Sequence, residues 1–170
     1  MKTKKIRNVL LFSAAILVVA AGIFAFRALT APGRPSADTG AQSGSIDAAT
    51  GNLVIQKSQV TATPSFYPYQ SGNIKMEVLA VRASDGSVRT AFNTCQVCYS
   101  SGRGYYQLDG DTLVCQNCGN RFTADQVEQQ RGGCNPVGIT REYKTETDQT
   151  ITIQKKFFQQ TQEIFENWKK

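Results

Sequence analysis

The chain has 170 residues, with 19 Lys and Arg against 13 Asp and Glu, no histidine and five cysteines. Its formal charge of +6 sits at one end: Lys2, Lys4, Lys5, Arg7, Arg27 and Arg34 precede the first acidic residue, Asp38, and from Asp38 onward 13 basic residues meet 13 acidic ones. A balanced body argues against a phosphate-binding surface and hence a nucleic-acid partner. The lack of histidine removes Cys/His zinc sites, His-ligated haem and His-based triads.

Taken in chain order, residues 1–7 form a basic tip and 8–27 a transmembrane anchor. The run "NVLLFSAAILVVAAGIFAF" carries no charge; as a helix it is about 28 Å long, close to the hydrocarbon thickness of about 30 Å. It is longer than the apolar region of a signal peptide, and no small-residue cleavage pattern follows it, so the anchor is expected to be retained. The basic tip outnumbers the charges beyond the run, which predicts a cytoplasmic N-terminus and an extracytoplasmic remainder held at the cell membrane by one pass. Residues 28–52 are mostly Ala, Gly, Ser, Thr and Pro and are expected to be a disordered tether, because they bury too little to offset chain entropy. Residues 53–170 are left as one domain.

Within that domain the expected class is α+β: a small β-rich body with a zinc-ribbon-like four-cysteine hairpin and a C-terminal amphipathic helix. "SFYPYQ" (65–70) reads as an edge segment packing on the core. "NIKMEVLAVR" (73–82) places Ile74, Met76, Val78 and Ala80 on one side of a strand, and the Asp-Gly signal in "SDGS" turns it back into "VRTAF". "GYYQL" and "TLV" are expected to pair around Asp109-Gly110-Asp111. Thr123 and Gln126 have capping-box spacing and Gly132-Gly133 a stop, so a short helix is expected between them. "TITI" is a short strand, and Phe157, Thr161, Ile164, Phe165 and Trp168 share one helical face.

The chemistry lies in the cysteines. Cys95 and Cys98 are separated from Cys115 and Cys118 by sixteen residues, inside the spacing of four-thiolate metal sites. A Cys-x-x-Cys turn can aim two sulfurs at one ion, and a hairpin brings a second turn alongside. Gly119 can take the positive φ that turns backbone N–H groups toward sulfur; the first pair has Tyr99 there instead. The fifth thiol, Cys134 in "RGGCNP", is surplus to a four-thiolate site. It suits a two-state site or an exchanging ligand, or else is a buried apolar residue. Disulfides and thiol–disulfide exchange are natural outside the cytoplasm, but five is odd and bonds within Cys-x-x-Cys make tiny strained loops. Tyr105, Tyr106 and Phe122 read as hairpin core that could also wall the site. Nothing suggests a hydrolase or transferase.

The order of strand, Asp-Gly turn, C-x2-C, Gly-Tyr-Tyr hairpin, C-x2-C-G and G-G-C-N-P over about residues 66 to 138 resembles the bacterial FtrD-like membrane iron-sulfur domain. The resemblance implies a membrane-attached iron-sulfur or other metal centre, with Cys95, Cys98, Cys115, Cys118 and Cys134 as candidate ligands. It also implies electron transfer beside iron-uptake components, with a membrane transporter or redox protein as partner. The expectation is therefore a carrier of an iron-sulfur cluster, not an enzyme. The alternatives are a Zn2+-bound docking module and a thiol–disulfide exchange protein.

Overall fold

The computed structural model describes residues 44–170. The predicted tip, the anchor and most of the predicted tether lie outside these residues. Among the described residues no helix is long and apolar enough to cross a membrane.

The described strands form three antiparallel sheets. The central sheet has the order β3-β4-β5-β9, with β3 Ser65–Ser71, β4 Ile74–Arg82, β5 Val88–Cys95 and β9 Pro136–Gly138. A second sheet orders β1 (Ser45–Ile46), β2 (Leu53–Gln56), β11 (Thr150–Ile153) and β10 (Lys144–Glu146) as β1-β2-β11-β10. The third is the small meander β6-β7-β8, with β6 Tyr106–Asp109, β7 Thr112–Cys115 and β8 Arg121–Phe122. Strand β1 lies inside the segment expected to be tether and pairs with β2 through Ser45↔Val54 and Ile46↔Leu53.

The two-residue period of β4 and β5 explains how one sheet supports two cores. Met76, Val78, Ala80, Val88 and Phe92 enter one apolar cluster, together with Leu53, Ile55, Ile151 and Ile153 from the second sheet. Leu79, Val81, Ala91 and Cys95 point the other way, into a cluster with Tyr106, Leu113, Cys115 and Phe122. The sequence pattern reveals only the first of these faces, because a strand buried on both sides loses its alternation. Strand β3 lies at the sheet edge, where Pro68 needs no ladder donor.

The C-terminal segment covers the first core but is shorter than its periodicity predicts. Helix α1 spans Lys155–Thr161 and gives way to a 3-10 turn at Gln162–Phe165. No side chain caps its N-terminus, and the Thr161 hydroxyl donates back to the Phe157 carbonyl at 2.8 Å, a bond that weakens helical continuation. Phe92 is packed by this segment, with ring centroids 5.3 Å from Phe157, 5.7 Å from Phe158 and 5.4 Å from Phe165. Phe158, which lies off the predicted face, is fully buried and stacks on Tyr69 at 3.6 Å. The indole of Trp168 donates to the Asn93 carbonyl at 2.7 Å, fastening the chain end to β5 two residues before Cys95.

The segment after Cys118 also differs from expectation. Its capping box forms, with the Thr123 N–H donating to Gln126 Oε1 at 2.8 Å, yet only a 3-10 turn at Ala124–Gln126 follows. Glu128 then takes φ +66°, a left-handed conformation that ends any helix. Tertiary contacts hold it there. Glu128 Oε2 accepts from the Thr90 N–H at 3.1 Å and from Lys144 Nζ at 2.8 Å. The Lys144 side chain is 1 % exposed, so this pair outweighs the local helical preference.

Candidate metal centre

The first cysteine knuckle belongs to the central sheet rather than to the ribbon-like meander. Cys95 is the last residue of β5 and fully buried. The chain then turns so that the Cys98 N–H donates to Cys95 Sγ at 3.3 Å. Gly104 supports this turn from behind: its carbonyl accepts the Cys95 N–H at 2.7 Å. A Cβ on Gly104 would lie 2.2 Å from the Cys98 carbonyl oxygen, so only glycine fits.

The second knuckle begins at the end of β7. Cys115 is buried, and the Gly119 N–H donates to its carbonyl at 2.8 Å. Gly119 has φ +74°, as its position after the second pair predicts. Cys118, at the turn, is exposed. Asn93 joins the meander to β5: its Oδ1 accepts the Tyr106 N–H at 2.7 Å and its Nδ2 donates to the Tyr106 carbonyl at 3.2 Å. A buried asparagine thus takes the place of a strand partner and brings the two knuckles together.

Cys134 arrives from a different direction. Gly132 and Gly133 are both left-handed, at φ +80° and +73°, and turn the chain back toward the knuckles. Gln96 holds this loop, accepting the Gly132 N–H at 3.1 Å through Oε1 while its backbone N–H donates to the Asn135 carbonyl at 3.0 Å. The buried Tyr106 hydroxyl donates to the Cys134 carbonyl at 2.9 Å.

Cys134 Sγ consequently lies 3.1 Å from that of Cys95, 3.8 Å from that of Cys98 and 2.7 Å from that of Cys118. The sulfurs of Cys95, Cys98, Cys115 and Cys134 all lie within 4.8 Å of one another. A tetrahedron of metal–sulfur bonds near 2.3 Å has edges of about 3.8 Å, so these four surround a volume suited to one metal ion. All five cysteines are free thiols.

The FtrD-like family, described as membrane iron-sulfur containing proteins, matches residues 48–165. The chain belongs to this family. No curated protein and no solved structure matches it. The FtrD-like match extends beyond the cysteine-bearing stretch, from the turn before β2 to the end of the C-terminal 3-10 turn, and so takes in both cores. The thiol chemistry of this FtrD-like domain suits the group that the family's description names: iron-sulfur centres are held by cysteine thiolates, and here at least four converge. A multi-iron cluster includes sulfide and needs wider-set thiolates than one ion does.

The electrostatics divide the five thiols into two sets. Burial opposes ionisation of Cys95, but the Cys98 and Val97 N–H groups and the Cys134 thiol outweigh it and hold Cys95 below the ordinary thiol value. Cys118 is lowered too: burial opposes its ionisation, but the Cys134 thiol and the Asn120 N–H, with further hydrogen bonds from Cys115 and Cys98, outweigh it. Burial raises the other three, Cys115 to about 11, Cys98 with help from Cys95 and Cys134 with help from Cys118 and Cys95. Burial, with the nearby thiols, also drives the Tyr106 phenol far up, so it remains a proton donor to the Cys134 carbonyl. Bringing a cation into this site must release protons.

Asn93, Gln96 and Gly104 position the thiols without being thiols, and no spacing rule singles them out. A signal existed only for Gly104, in the glycine-rich "SGRG". Gly104→Ala is expected to displace the Cys98 carbonyl and lower Co2+ affinity by about tenfold or more, the scale of lost supporting contacts around metal ligands. Co2+ titration followed by thiolate charge-transfer absorption reads this directly; unchanged affinity would mean that the knuckle tolerates the shift.

Proposed function

We propose that this FtrD-like protein is a single-pass, extracytoplasmic electron carrier with a cysteine-ligated iron-sulfur centre, serving a membrane metal transporter and performing no catalysis of its own. The observation that best supports this is the convergence of four free thiols, drawn from the end of β5, the end of β7 and the Gly-Gly loop, within 4.8 Å of one another, with Cys118 beside Cys134. Such a centre supplies one-electron chemistry through its iron. The chain's own residues hold it and shield it. Tyr106, Leu113, Phe122 and Val127 are buried around the cysteines and exclude water, and the peptide N–H of Cys98 tunes Cys95 by hydrogen bonding to its sulfur.

Access for electrons is consistent with the exposed side of the site. Val97, within the first knuckle, is 61 % exposed, and Tyr99 and Cys118 are exposed beside it. The partner follows from the sequence resemblance and the predicted anchor, with the cytoplasmic N-terminus following from the basic tip.

A specific observation favours a second reading, a Zn2+-bound docking module: four sulfurs within 4.8 Å suit a single ion. Metal and acid-labile sulfide analysis of the full chain, purified anaerobically in detergent, separates the two. The carrier reading expects iron with sulfide and a visible absorption that bleaches on reduction. A colourless protein holding one equivalent of zinc would overturn it.

A further inference from the structure

We propose that Cys118 and Cys134 form a disulfide in the metal-free protein, and that this bond is a redox gate on metal loading. The gate rests on the metal-centre reading above; the disulfide itself does not. Three features carry it. The first is proximity: the Cys118–Cys134 contact, at 2.7 Å, is closer than those of Cys134 with Cys95 and Cys98, at 3.1 and 3.8 Å. The second is access. Cys118 is exposed and Cys134 partly so, whereas Cys95, Cys98 and Cys115 are buried, so an oxidant reaches the outer pair first.

The third feature is consequence. Cys134 belongs to the mutually close set of four sulfurs. Tying it to Cys118 leaves Cys95, Cys98 and Cys115, one thiolate short of a four-coordinate site. The bond closes a loop spanning sixteen positions with left-handed glycines beside both ends, Gly119 on one side and Gly132 and Gly133 on the other, which gives the backbone freedom to bring the sulfurs together. Either bond within a Cys-x-x-Cys turn would close a far smaller and more strained ring.

The oxidant required is a small or protein disulfide. Cys118 attacks one sulfur of that disulfide, giving a mixed disulfide and releasing one thiol. Cys134 then attacks Cys118 sulfur, forming the intramolecular bond and releasing the second thiol. Two cysteine thiols are oxidised and one external disulfide is reduced to two thiols, with each cysteine proton passing to a departing thiolate. A bound metal would occupy the sulfur lone pairs and block the exchange; reduction by a dithiol reopens the site.

The test uses the purified full chain, made metal-free and reduced, then treated with oxidised glutathione and alkylated. Tryptic cleavage should leave peptide 104–121 linked to peptide 132–141, with fragmentation between Cys115 and Cys118 assigning the bond to Cys118. A bond within either Cys-x-x-Cys pair, or from Cys95 to Cys134, would overturn the proposal. Co2+ affinity should fall at least about a hundredfold on oxidation and return with dithiothreitol, reflecting a lost thiolate. A reduced chain that takes up no Co2+ sinks the metal reading and the gate together, and the mapped bond then stands alone. A reduced chain that binds Co2+ and an oxidised chain that binds it as tightly sink the gate alone.

Discussion

Cys95→Ser is expected to lower metal affinity by on the order of a hundredfold or more. Binding free energies of four-ligand cysteine sites are roughly 10–16 kcal/mol, so one thiolate contributes about 3 kcal/mol. Cys95 should show the full loss because nothing can substitute for it. It is fully buried, fixed by β5 on one side and by the Gly104 carbonyl on the other, and water cannot enter as a replacement ligand. Cys118→Ser should cost less, since Cys118 is exposed and lies outside the mutually close set of four sulfurs, which already includes Cys134. Competition titration with a Co2+ chelator measures both variants, and urea unfolding of the metal-free forms corrects for any change in the fold. Equal losses would make Cys118 a full ligand and Cys134 a bystander.

The second large effect concerns a residue outside the cysteine cluster. Lys144→Met should destabilise the metal-free domain by about 3–5 kcal/mol, the cost of removing one member of a buried ion pair. Lys144 Nζ, on β10, lies 2.8 Å from Glu128 and 3.2 Å from Glu146 and donates to the Thr90 hydroxyl at 3.1 Å. Its loss leaves the Glu128 carboxylate, 14 % exposed, without its cation. Adding Glu128→Gln should recover more than half of the stability, because the pair itself is worth much less than the stranded charge. Urea midpoints at pH 7 for the two singles and the double give the coupling. A loss under about 1 kcal/mol in the single would mean that the pair behaves as a surface contact. Because Glu128 belongs to the loop that carries Cys134, Lys144→Met should also weaken metal binding while leaving both knuckles intact.

Legibility from sequence followed the range of the interactions. The β4–β5 hairpin, the β6–β7 turn and the left-handed Gly119 were readable because a few adjacent residues decide each one. The membership of all five cysteines in one cluster was suggested by spacing and resemblance together. The ribbon-like picture erred over the first knuckle: Cys95 ends a strand of the central sheet, and the buried Asn93 together with the packing of Tyr106 and Leu113 brings the meander to it. No local rule marks an asparagine as a substitute strand partner. The helix expected after the capping box was a different kind of miss, since the box is real but Lys144, sixteen residues beyond Glu128, draws Glu128 out of helical geometry. The C-terminal helix had the right apolar residues on a face too long for its weak ends.

Strand β5 has a consequence for how long a bound ion would stay. One side of it presents Phe92 to the rings of the C-terminal segment, and the other ends in Cys95 at the thiol cluster. Detaching Cys95 means peeling a strand that both cores share. The partly exposed Cys134 is therefore the ligand a chelator can displace first, while the bond to Cys95 is guarded by the fold itself and should be the last to yield.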